Sequence, residues 1–96
     1  MLRFEDFENT VGHTFTIVED ECVAMTLTLT EAELLHARVP PPGRPPFSLI
    51  FVAREEERVL PQRLYRIEHE GLGTMALFLV PVGRDASGVQ YQALFN

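Results

Sequence analysis

Between Val23 and Thr30 the chain alternates without a fault: Val23, Met25, Leu27 and Leu29 are apolar, while Ala24, Thr26, Thr28 and Thr30 are small or hydroxyl-bearing. Successive side chains of an extended strand point to opposite sides, so this period of two separates the sets onto two faces. The expectation is a strand with Val23, Met25, Leu27 and Leu29 turned to a core and the threonines turned to water. A half-buried strand is not stable alone. The rest of the chain has to supply partners that cover its apolar face.

It does so with one short helix and more strands. Phe4, Phe7 and Val11 lie on one helical stripe within Leu2 to Val11, acids crowd its start and Gly12 follows it. So short a helix is unstable in water, so Phe4 and Phe7 are expected to lid a core built by strands. His13 to Val18 reads as the first strand, Glu19-Asp20-Glu21 as a turn, and Val23 onward as the second. Beyond Glu31 the phase slips, because Leu34 and Leu35 are adjacent; a bent strand continuing to Val39 is preferred to a helical turn. Pro40 to Pro46 is a stiff loop between strands rather than a domain linker.

Four further strands are expected over Phe47 to Ala53, Val59 to Glu68, Thr74 to Val82 and Val89 to Phe95. Arg54 to Arg58 reads as a charged hairpin tip, and Pro61 as a break early in the fourth strand. The run Ala76 to Gly83 is apolar enough to be buried on both faces, with Pro81 ending its pairing and Gly83 to Gly88 turning the chain. Short connections imply antiparallel neighbours. The fold class is therefore mainly β: residues 1–96 form one domain, a small antiparallel six-stranded barrel or coiled sheet or sandwich with a lid helix.

Composition excludes several functions. Eight basic against fourteen acidic residues give a net charge of −6, and no basic patch interrupts it, so nucleic acid is not an expected partner. Cys22 is the single cysteine, no signal-like segment follows Met1 and no run spans a membrane, so a cytoplasmic location is the default.

Candidate chemistry gathers at Glu68-His69-Glu70 and Asp85-Ala86-Ser87-Gly88. His69 as a general base needs a nucleophile or a pocket. The serines are Ser48 and Ser87, with no Gly-x-Ser-x-Gly elbow, and Cys22 follows three acids that oppose thiolate formation. His69 is instead expected to bond turn carbonyls, with Gly71 and Gly73 supplying positive φ in a tight hairpin. His13, His36 and His69 have no paired ligand spacing, and Asp85 lacks the rest of a calcium loop, so no metal and no cofactor are expected.

Phe4, Phe7 and Gly12, then Leu60-Pro61-Gln62, Tyr65 to His69, Leu72-Gly73, Leu77 to Gly83, Gly88, Tyr91 and Phe95-Asn96 form a pattern that covers almost the whole chain. It resembles a family of small bacterial proteins, of about this length, described only as a domain of unknown function. The resemblance implies stand-alone domains, some of them accompanying genes for phage-tail-like collar or fibre proteins. It brings no catalytic residues.

The functional expectation is a non-catalytic protein-interaction or assembly domain, an accessory of a phage-tail-like particle in its finer form. It engages a protein partner, with a monomer preferred to an edge-paired dimer. The alternative is a small-molecule-binding β-barrel with inward polar groups at Tyr65, His69 and Gln92.

Overall fold

A computed structural model describes residues 2–35, 45–54 and 58–95. The chain runs α1 (Phe4–Glu8), β1 (Thr14–Glu19), β2 (Cys22–Leu34), β3 (Phe47–Ala53), β4 (Arg63–His69), β5 (Gly73–Asp85) and β6 (Gly88–Phe95). The strands close into a barrel in the order β1-β2-β3-β6-β5-β4, every neighbouring pair antiparallel. Of the expected architectures, the closed six-stranded barrel is the one formed.

Closure depends on two bulges in the long second strand. Ile17 faces Met25 and Val18 faces Val23, which leaves Ala24 as an extra residue; Leu29 faces Phe51 and Glu31 faces Ile50, which leaves Thr30 as another. Bulges bend and twist a strand, as a small barrel requires. The first bulge corrects the expectation for Val23. Met25, Leu27 and Leu29 face the core, but Val23 lies beyond the extra residue and is exposed. The second produces the expected phase slip, and β2 continues to Leu34. Residues 36–44 lie outside the described residues, and with them the expected strand end at Val39, His36 and most of the proline segment. The proline segment joins strands that are neighbours in one barrel, and the Leu35 N–H donates to the Pro46 carbonyl at its base.

The strand order also overturns the expected hairpin at Arg54 to Arg58. β3 and β4 stand three places apart in a ring of six, on opposite walls. The described part of this connection, residues 58–62, lies at the barrel mouth. Residues 55–57 are outside the described residues; Leu60 is buried in the core, and β4 begins only at Arg63, so Val59 to Gln62 are not strand. Two inward tyrosines hold this crossing. The buried Leu60 N–H donates to the Tyr91 hydroxyl at 2.9 Å, and the Tyr65 hydroxyl donates to the Pro61 carbonyl. Tyr91→Phe should therefore cost about 1 to 3 kcal/mol in urea denaturation, because the Leu60 N–H is left buried without an acceptor. A loss near zero would show that the crossing segment relaxes freely.

The other mouth carries the lid. Helix α1 is shorter than expected: Phe7 is fully buried and Phe4 partly so, while Val11 is exposed and belongs to no stripe. The Asp6 carboxylate accepts the Arg3 N–H at the helix start. At its end the buried Thr10 hydroxyl donates to the Phe7 carbonyl. The junction to β1 is then tied to β2, with the Gly12 N–H on the Leu29 carbonyl and the Leu29 N–H on the His13 carbonyl.

Candidate functional site

Among the described residues, two features outside the core bear on function. One is a histidine pair at the lid end; the other is the outer wall of β4, β5 and β6.

His13 leads into β1 and His69 ends β4, so antiparallel closure of these strands brings residues 56 positions apart together. His13 Nδ1 lies 3.0 Å from His69 Nε2, with the rings nearly parallel. The other nitrogen of His69 settles the protons. Its Nδ1 accepts the N–H groups of Gly71 and Leu72, each at 3.0 Å, so it carries a lone pair. A neutral imidazole then has its hydrogen on Nε2, which donates to His13 Nδ1. His13 in turn holds its own hydrogen on Nε2. Both lone pairs of the pair are engaged, and neither ring offers one to a substrate proton or a metal ion in this arrangement.

The expected role of His69 in fixing the hairpin is thus realised with the opposite polarity: the ring accepts from turn amides rather than donating to carbonyls. Of the two glycines expected at positive φ, Gly73 alone has it. Burial pulls His69 below the ordinary imidazole range, His13 adds to this, and Glu70 opposes it. Outside the pair runs an open groove of about 530 Å³ lined by Thr14, Thr16, Glu68, His69, Glu70 and Thr74. Ser87 and Cys22 sit at the opposite mouth, and Ser48 is on β3, across the barrel from β4. None of the three sequence-level nucleophiles is brought to His69.

The three residues of the ligand-binding alternative also separate. Tyr65 is inward and engaged with the crossing segment; His69 is at the other mouth. Gln92 alternates with the buried Tyr91 and Ala93 and so faces outward.

The outer wall was not anticipated. Burial along β5 alternates, so Ala76 to Gly83 is not covered on both faces: Phe78 and Val82 are each about half exposed. Nor does Pro81 end the pairing. It faces Tyr91, Val82 is the extra residue of a bulge, and the ladder continues to Asp85 and Gly88 around a turn of Ala86 and Ser87. Leu64 of β4 pairs directly with Phe78, on the face opposite the buried Tyr65 and Leu77. Val80 faces Gln92, so the antiparallel register sets Phe78 toward Leu94 one pleat further on. Leu64, Phe78 and Leu94 are 60%, 51% and 57% exposed, forming an apolar row across three neighbouring strands. Arg66 and Glu68, paired at 3.5 Å, continue the β4 face beyond it.

Among the described residues, no helix is long and apolar enough to cross a membrane, and no group of three or more His, Cys, Asp or Glu is placed to hold a metal ion. No curated protein and no solved structure matches the chain. A family model described as "Domain of unknown function (DUF6916)" matches residues 2–95, and the chain belongs to that family.

Proposed function

We propose that this protein is a non-catalytic interaction or assembly domain that binds a protein partner through the outer wall of β4, β5 and β6. One observation carries the reading: Leu64, Phe78 and Leu94 are large, adjacent and more than half exposed, on a surface that folding does not require to be apolar. Contiguous exposed apolar groups with a polar rim are the usual mark of a binding face, and a few large side chains dominate the affinity of such faces. With the strands closed into a ring, contact is made by side chains of the wall rather than by adding a strand to an open sheet, and in this reading the protein itself is a monomer. In its finer form the partner is a component of a phage-tail-like particle in a bacterium; that form rests on the family resemblance.

The ligand-binding alternative receives less support. Eight strands make an interior just wide enough for side chains to fill, six make a narrower one, and the inward positions here carry Phe, Tyr, Leu, Ile and Met.

The test uses the products of neighbouring genes as candidate partners. Phe78→Glu and Leu94→Glu should leave the thermal midpoint nearly unchanged, because both positions face water, and should abolish co-purification with the partner. Retained co-purification by both folded variants would overturn the assignment to this wall. Self-association removed by the same substitutions would instead make the partner a second copy of the chain.

A further inference from the structure

The barrel does not close equally well all round. The β1–β4 seam has two ladder pairs, Thr16 with Glu68 and Ile17 with Ile67, whereas the other seams have between five and seven among the described residues. Toward the lid the two strands diverge around the groove, and the His13–His69 hydrogen bond spans the gap. On one side of it is the junction that carries α1, anchored by His13 on the backbone of Leu29; on the other is the β4–β5 hairpin, whose Leu72 packs against the core.

We propose that His13 and His69 form a pH-sensitive clasp on this seam, closed when both imidazoles are neutral and released on protonation, so that acid frees the β4–β5 hairpin from the lid junction. The chemistry follows from the proton inventory. A second proton on His69 must go to Nδ1, where it points at the N–H groups of Gly71 and Leu72, and three donors then share one site with no acceptor. A second proton on His13 must go to its Nδ1 and meets the His69 Nε2–H in the same way. Either event breaks one side of the clasp.

The surroundings bear on the balance. On its own hairpin His69 has Glu68 and Glu70, whose charges favour the imidazolium, and the Phe15 ring face at 4.6 Å attracts a cation weakly. From β1 come only the uncharged Thr14 and Thr16, and from β5 Thr74; from the lid junction comes His13, which opposes the charge. The exposed carboxylates are screened by water, whereas the two amides act at hydrogen-bond distance. The direction agrees: His69 binds its proton less readily folded than unfolded. The unfolded chain therefore takes up more protons as pH falls below the ordinary imidazole value near 6.5. The stabilisation is complete above that value and is lost as the pH falls from it through the lower folded value.

Two measurements on the intact chain decide the matter. Amide exchange of Gly71 and Leu72, expressed as protection relative to intrinsic rates, is followed from about pH 7.5 to about pH 5 beside amides of the β3–β6 ladder. Loss of protection at Gly71 and Leu72 in acid, with the β3–β6 ladder still protected, is the expected result. His69→Asn keeps an acceptor for the turn amides but does not titrate, so the hairpin of this variant should keep constant protection over the range. The imidazole titration of His69, read by NMR in the unsubstituted protein, requires no variant to fold; its midpoint should lie below the ordinary value. Constant protection in the unsubstituted chain, an equal acid response in His69→Asn, a His69 midpoint at or above the ordinary value, or an acid response abolished by His36→Gln would each overturn the proposal.

Discussion

Gly88→Ala is expected to destabilise the barrel by about 2 to 6 kcal/mol, the sum of a backbone clash and a strained φ, each worth roughly 1 to 3 kcal/mol. Gly88 opens β6 at φ 132°, a region that residues with a side chain rarely adopt. A Cβ there would lie 2.1 Å from the carbonyl oxygen of Ala53, 2.8 Å from its carbonyl carbon and 3.0 Å from the Arg54 Cα. These are backbone atoms at the end of β3, where Ala53 pairs with Val89, so nothing can swing aside without breaking that ladder. The same hairpin is set by the Asp85 carboxylate, which accepts the Ser87 N–H at 2.7 Å. Total stability for 96 residues is roughly 5 to 14 kcal/mol, so the variant should lose a large share of it and show a markedly lower urea midpoint. Gly83→Ala is the control. Its Cβ would meet only the Gln90 side-chain oxygen at 2.9 Å, the far end of a flexible chain, and its urea midpoint should move little. Comparable losses in the two variants would refute the steric account.

What could be read from the sequence and what could not divide along one line: whether the decisive contact is local. The alternation of Met25, Leu27 and Leu29 is local and was legible. Val23 obeys the same alternation but is turned out by a bulge opposite Val18, and a bulge is a property of two strands, not of one. The apolar run Ala76 to Gly83 pointed to a strand buried on both sides, a sound inference for a sheet with layers on both faces. A barrel has one covered face, its inside. With no second layer outside β5, Phe78 and Val82 face water, and a strongly apolar stretch of the chain became part of an exposed wall.

The charged segment after Ala53 failed for a related reason. Arg54 to Arg58 has the composition of a hairpin tip, and nothing local distinguishes a tip from a crossing over a barrel mouth. The distinction lies in the pairing of β3 with β6 and in Leu60, Tyr65 and Tyr91, which fill and fasten the crossing from elsewhere in the chain. The histidine pair is the extreme case. His69 was singled out and its hairpin role anticipated in part. His13 enters the sequence reading as the first residue of a strand and as one of three histidines without ligand spacing, and no spacing rule connects positions that closure of the barrel alone makes neighbours.

The lid, by contrast, was legible because a five-residue helix has only one reason to exist. Phe7 is fully buried, with ring centroids 5.4 Å from Phe95, 5.8 Å from Phe47 and 6.5 Å from Phe15. These three rings come from β6, β3 and β1, so Phe7 is where three walls of the barrel meet. Phe7→Ala should cost about 3 to 5 kcal/mol, the usual range for truncating a buried phenylalanine, because strand backbones fixed by their ladders cannot collapse into the gap. Phe4→Ala should cost less than Phe7→Ala, since Phe4 is only partly buried and meets Phe47 edge-on at 5.6 Å. The helix cannot compensate by holding its own shape, as five residues are far below the length at which a helix persists in water. In Phe7→Ala the helix should therefore melt with the barrel still paired, seen as early exchange of the Asn9 and Thr10 amides, which bond to the carbonyls of Glu5 and Phe7. Equal losses for Phe4 and Phe7, or protected Asn9 and Thr10 amides in Phe7→Ala, would mean that the barrel mouth is closed by its own strands and the helix merely rests upon it.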